Sequence, residues 1–292
     1  MATAQTATTQ YVTAKNGVRF AYRRIGSSTG IPLVMHIHYR GNMDLWDPLF
    51  VNALAKSREV IVFDNAGVGR STGDVPETFQ GWADQAIVFI EALGLQQVDF
   101  MGFSMGGYAA QYVALTAPHL VRKLILSGTS ASTPSAEHVA GVIWPRENAG
   151  PEPIKALSEA VTTEEGRRAA FDKYWARVQE RTAEPLILDL LARNGGAKNQ
   201  MAAAIESFRA TPSGSFDRLK ELKMPVLVAN GDNDTLIPSS RSWELMTQIA
   251  HAQLIIYPRA GHGFLWQYPE LYAAHVNMFL DGTEYDRLVT KL

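Results

Sequence analysis

The sequence predicts an α/β fold: a mostly parallel sheet with helices on both faces. Three observations predict it. Short apolar runs alternate with helix-length segments along most of the chain. Several of those runs, such as 31–37 and 60–63, are apolar throughout, as strands covered on both faces are. Finally, Gly102-Phe103-Ser104-Met105-Gly106-Gly107 joins a strand-like run to a helix-like one, a serine at a sharp turn with glycine two positions to each side.

The elements follow in order. Lys15-Asn16-Gly17 is an Asn-Gly hairpin signal between extended runs at 11–20 and 20–24. Residues 31–37 read as a buried strand, 45–55 as a helix and 60–63 as a strand ending in Asp64-Asn65-Ala66-Gly67-Val68-Gly69. Residues 79–93 have helical spacing and stop at Gly94. The strand 97–103 leads into the glycine-rich turn, and a helix at 108–117 ends at Pro118. Residues 121–126, 224–230 and 253–257 read as strands, and 240–250 and 268–280 as helices. The alternation breaks between about 130 and 215, where charged, helix-like sequence carries Trp144, Phe171, Tyr174 and Trp175. This segment reads as an insertion over the carboxyl edge of the sheet. The expected organisation is a core of 1–130 and 216–292 with a helical cap at 131–215.

Composition narrows the function classes. The 292 residues are 46% hydrophobic and 19% charged with a formal net charge of −2, so no broad field recommends nucleic acid as a partner. There is no cysteine, which removes disulfides, thiol catalysis and Cys-based zinc sites. The polar first ten residues do not read as a secretion signal, and no apolar run has membrane-spanning length. A soluble, cytoplasmic protein acting on a small molecule is expected, with no nucleic-acid or membrane partner; a homodimer stays open. No metal and no cofactor are expected, since no His/Asp/Glu set has ligand spacing and Gly67-Val68-Gly69 lacks the full nucleotide-binding glycine fingerprint.

A serine at neutral pH needs a base, and the base needs an orienting carboxylate. His262 in Ala260-Gly261-His262-Gly263-Phe264 follows the strand at 253–257 and is the candidate base. The acid lies in Asn230-Gly231-Asp232-Asn233-Asp234-Thr235-Leu236-Ile237-Pro238. Asp234 is preferred, with Asp232 bracing the turn.

With the elbow, the acid turn, the histidine loop and Phe63-Asp64-Asn65-Ala66-Gly67-Val68-Gly69-Arg70-Ser71, the chain resembles the α/β-hydrolase superfamily over nearly its whole length. The resemblance implies an eight-stranded sheet, a cap after the sixth strand and catalysis by Ser104, Asp234 and His262. It also implies an oxyanion hole after the third strand. Here Met35-His36-Ile37-His38-Tyr39-Arg40-Gly41-Asn42 departs from the usual His-Gly. Counting back from Arg40-Gly41-Asn42 makes Tyr39 and Met105 the two backbone donors; counting from His36 makes His38 the first. The former is preferred, and His38, Trp144, Trp175 and Phe264 are the expected substrate-binding side chains. The implied activity is a serine hydrolase of a small to medium hydrophobic ester or lactone. A cofactor-free haloperoxidase or perhydrolase and a carbon–carbon bond hydrolase share the motif. A non-catalytic ligand-binding protein on the same fold is the reading of another class.

Overall fold

The computed structural model describes residues 1–27, 30–132, 165–187, 199–200, 202–203 and 214–282. The strands are β1 (Gln10–Thr13), β2 (Arg19–Ile25), β3 (Leu33–His36), β4 (Val60–Phe63), β5 (Val98–Phe103), β6 (Val121–Ser127), β7 (Val226–Gly231) and β8 (Ala252–Tyr257). They form one eight-stranded sheet in the order β1-β2-β4-β3-β5-β6-β7-β8. The β1–β2 and β2–β4 pairs are antiparallel, and every pair from β4 onward is parallel. The helices are α1 (Pro48–Leu54), α2 (Phe79–Ala92), α3 (Met105–Thr116), α4 (Glu165–Gln179), α5 (Ser239–Gln248), α6 (Phe264–Gln267) and α7 (Pro269–Asp281).

Side chains alternate across each strand, which divides the apolar core in two. Val34, Ile61, Phe100, Leu124 and Val226 point to the face that also buries Phe89, Ala109 and Leu245 of α2, α3 and α5. Leu33, Met35, Val62, Met101, Ile125 and Leu227 point to the other, against Phe50, Val51, Tyr272 and Val276 of α1 and α7. Both faces are covered, so the strands need no polar side, and the uniformly apolar runs follow.

Two helices start three residues away from where the sequence reading places them. The first helix begins at Pro48, after a 3-10 turn at Met43–Leu45. Pro48 disfavours helical geometry at Asp47, which instead caps α1 by accepting the Leu49 N–H. The helix after the elbow begins at Met105, three residues ahead of Tyr108, because the turn at Ser104 feeds it directly.

Segment 165–187 is bolted to the core. Arg177 reaches both carboxylate oxygens of Asp47, at 2.8 and 2.5 Å, and the Tyr174 hydroxyl donates to the Leu45 carbonyl at 2.8 Å. Asp44 is paired with Arg23 at 2.6 Å and with Arg70 at 2.7 Å, and Arg181 donates to the carbonyls of Ala4 and Ala7. These buried charges are paired with opposite charges, which is one condition for tolerating them, although Arg23 Nη2, Asp44 Oδ1 and Arg181 Nε make no hydrogen bond among the described residues. Most of the remainder of the expected cap, including Trp144, lies outside the described residues. Among the described residues no helix is long and apolar enough to cross a membrane.

Candidate active site

Parallel strands align their carboxyl ends along one sheet edge, and loops there are the usual place for chemistry in open α/β sheets. In this chain that edge gathers the loop at 37–42 after β3, Ser104 after β5, Gly128 after β6, Asp234 after β7 and His262 after β8.

Ser104 sits at φ 56° and ψ −120°, outside the ordinary regions for a residue with a Cβ. Two close approaches hold it there. A Cβ on Gly102 would lie 2.2 Å from the Gly106 carbonyl oxygen, and one on Gly106 would lie 2.2 Å from that of His36. Strand, elbow and helix therefore interlock only with glycine at both positions. The Ser104 N–H donates to the Ser127 carbonyl at 2.9 Å, tying the turn to β6. The N-terminus of α3 starts one residue later, with its partial positive charge at the turn.

His262 is buried, and its Nδ1 lies 2.8 Å from Asp234 Oδ2. A carboxylate accepts, so Nδ1 carries the proton and Nε2 is left as a base. Asp234 Oδ1 accepts the N–H groups of Leu236 and Ile237, each at 2.9 Å, which fixes the carboxylate plane. Asp232 does something else: its Oδ1 accepts the Ala260 N–H at 3.0 Å and ties the acid turn to the histidine loop. Ser104 Oγ and His262 are not hydrogen-bonded to each other; such contacts commonly tighten only with substrate in place.

An aromatic wall adjoins the histidine. Phe103, the residue before the serine, stacks on His262 at 5.1 Å and meets the edges of His38 at 5.5 Å and Trp266 at 6.4 Å. Trp266 stacks on Tyr174 at 4.4 Å and packs on Phe171, which stacks in turn on the half-buried Trp175. Trp266 was not singled out in the sequence; its signal was the position four residues after His262 in a short helix. Phe264 is corrected. It is fully buried, stacked on Tyr257 at 5.2 Å and edge-on to Tyr272 at 5.0 Å, so it supports β8 and α7 from beneath. In a helix this short, residues two apart point to opposite sides, and it is Trp266 that turns toward the site.

After β3, His38 turns its ring toward Phe103 and Trp266, while Tyr39 packs in the core cluster that also contains Met105 and Tyr108. Arg40 follows at φ 59°, and its N–H donates to Gln200 Oε1 at 2.8 Å. The turn after β4 is a structural clasp. Asp64 accepts the Met43 N–H at 2.8 Å and the Arg70 N–H at 2.7 Å, and burial pushes its carboxyl up to about 6. Its Oδ2 fills the space beside Gly69, where a Cβ would sit 2.3 Å away, so the Gly67-Val68-Gly69 turn wraps a carboxylate. Among the described residues, no group of three or more His, Asp or Glu could hold a metal ion.

A sheet with this strand order and a serine elbow beside a carboxylate-held histidine define a hydrolase-type α/β protein. A family model described as alpha/beta hydrolase fold matches residues 31–269, and the chain belongs to that family. Among solved structures it is similar to an alpha/beta hydrolase fold protein from Chitinophaga pinensis, with a TM-score of 0.84 and 33% identity over 96% of this chain and 99% of that one. Among curated proteins it is similar to the non-heme chloroperoxidase of Streptomyces lividans, 29% identical over 89% of this chain and 95% of that protein. It is also similar to the 2-hydroxymuconate semialdehyde hydrolase of Pseudomonas sp. strain CF600, 28% identical over 87% of this chain and 88% of that protein.

Proposed function

We propose that the protein is a serine hydrolase that cleaves a carboxylic ester or lactone of small to medium hydrophobic character through an acyl-enzyme. The observation that carries this reading is the 2.8 Å Asp234–His262 contact at the same sheet edge as a strained serine elbow. Ser104 Oγ attacks the carbonyl carbon, and its proton passes to His262 Nε2. The backbone N–H groups of Tyr39 and Met105 stabilise the developing oxyanion, each contributing about 3 kcal/mol in the transition state. His262 then gives its proton to the departing alkoxide. Water loses a proton to His262 and attacks the acyl carbon, which releases the acid and restores Ser104. Asp234 holds the imidazole in the one tautomer that works and stabilises its protonated form. Trp175 and Trp266 supply apolar surface, which favours a hydrophobic substrate.

A fluorophosphonate probe should label Ser104, and the label should vanish in Ser104→Ala. A panel of p-nitrophenyl esters and lactones should be turned over by the wild type and not by that variant. Full esterase activity in Ser104→Ala would end the proposal.

The similarity to a chloroperoxidase and a semialdehyde hydrolase supports a second reading on the same residues. Peroxide in place of water at the acyl-enzyme gives a peracid, and a vinylogous diketone in place of an ester gives carbon–carbon cleavage. Acid-dependent bromination with peroxide, and the absorbance decay of such a diketone, separate the two from ester hydrolysis.

A further inference from the structure

We propose that His38 Nε2 is a hydrogen-bond acceptor for a hydroxyl or N–H group carried by the substrate, so that the site selects esters or lactones bearing such a donor. This rests on the hydrolase reading of the same site and names a substrate feature that the triad does not. The tautomer is set by the backbone. His38 Nδ1 lies 2.7 Å from the Tyr39 carbonyl oxygen, an atom that only accepts, so Nδ1 carries the proton and Nε2 a lone pair. That lone pair is buried and has no hydrogen-bond partner among the described residues. Buried acceptors are nearly always satisfied, and an unmet one is costly unless something else meets it.

The ring is held in place. Its edge faces Phe103 at 5.5 Å and Trp266 at 6.4 Å, and Phe103 stacks on His262. The turn behind it is tight: Gly41 donates its N–H to the His38 carbonyl at 3.0 Å, and a Cβ on Gly41 would touch His38 Cε1 at 3.0 Å. Burial, together with the neighbouring His262, lowers the His38 pKa to about 4, so the acceptor persists through neutral pH. His36 is the built-in contrast. Its Nε2 is also buried without a partner among the described residues, but its ring stacks on Trp82 at 5.5 Å and meets Phe63 edge-on at 5.3 Å, within the apolar core. Only His38 adjoins the proposed reacting groups.

The test is a set of matched substrates. p-Nitrophenyl butanoate is compared with its 2-, 3- and 4-hydroxy forms and with 3-methoxybutanoate, which keeps the oxygen and lacks the donor. Methyl butanoate is compared with 2-hydroxyethyl butanoate, which places the donor on the alcohol. Each kcat/KM ratio is read within wild type, His38→Phe and His38→Gln, so that a general loss of activity cancels. At least one hydroxylated ester should exceed its donor-free partner by about tenfold or more in the wild type. The ratio should fall to near unity in His38→Phe and recover in part in His38→Gln, which restores an acceptor. The same ratios are measured as Kd values in Ser104→Ala. If no ester is turned over, the function reading fails, and the Kd ratios still decide this one. Ratios that match between wild type and His38→Phe, or that stay near unity for every donor position, would overturn it. So would a nitrogen-15 spectrum that places the His38 proton on Nε2 at pH 7.

Discussion

Gly128 lies against His262: a Cβ built on it would sit 3.3 Å from Cε1 and 3.4 Å from Nδ1 of the imidazole. Gly128 is also at φ +51°, a conformation that a side chain disfavours by about 1 kcal/mol or more. The strand end that carries no acid is thus the one that makes room for the His262 imidazole. Gly128→Ala should lower thermal stability by a few degrees and kcat by at least tenfold, because small displacements of a catalytic group are expensive. Calorimetry and steady-state kinetics on one preparation check both; an unchanged kcat would mean that the imidazole does not need this position.

The two acidic residues of the turn after β7 should separate cleanly. Asp234→Asn leaves the shape but favours the wrong imidazole tautomer, and should reduce kcat by about 10³–10⁴-fold with little loss of stability. Asp232→Asn weakens the tie to Ala260 N–H and should cost about 1 kcal/mol of stability, with a much smaller fall in kcat. Urea midpoints and kcat for the pair decide it. Equal kinetic losses would contradict the assignment.

Acid sensitivity should trace in part to His36. Burial lowers its pKa from 6.5 to about 4. The native state therefore keeps it neutral while the unfolded chain binds a proton below pH 6.5. The sign follows: stability from this group is complete above pH 6.5 and is lost progressively as pH falls toward 4. The loss approaches about 3 kcal/mol at the acid end. The raised pKa of Asp64 acts in the opposite direction over the same range, so the comparison must be with a variant. His36→Phe keeps an aromatic ring beside Trp82 and should flatten the fall in urea midpoint between pH 7 and pH 5. A parallel fall in both proteins would refute the attribution.

The contact between α4 and α1 should be energetically coupled. Asp47 is fully buried, caps α1 and receives both Arg177 bonds. Asp47→Ala should cost about 2–4 kcal/mol, and a double-mutant cycle with Arg177→Ala should return a coupling of about 1–3 kcal/mol. A coupling near zero would show that α4 is held by its aromatic packing alone.

How much of this was legible in the sequence differs residue by residue. The apolar strands, their order with the helices, the serine elbow and the family resemblance rest on local signals: side-chain period, glycine where chains approach closely, and turn chemistry after each strand. Local physics acts over a few residues, so a reader of the chain meets it directly. The same holds for His262 and for an acid somewhere in 230–238. What the tertiary structure decided depends on distances between residues far apart in sequence. It put Asp234 rather than Asp232 on His262, across 28 positions. It buried Phe264 beneath β8 and turned Trp266 to the site instead, because a short helix has two sides and only the packed molecule says which is inward. It also left His38 with its proton held by a backbone carbonyl and its other nitrogen unmet beside Phe103, a state set by burial that no sequence pattern encodes.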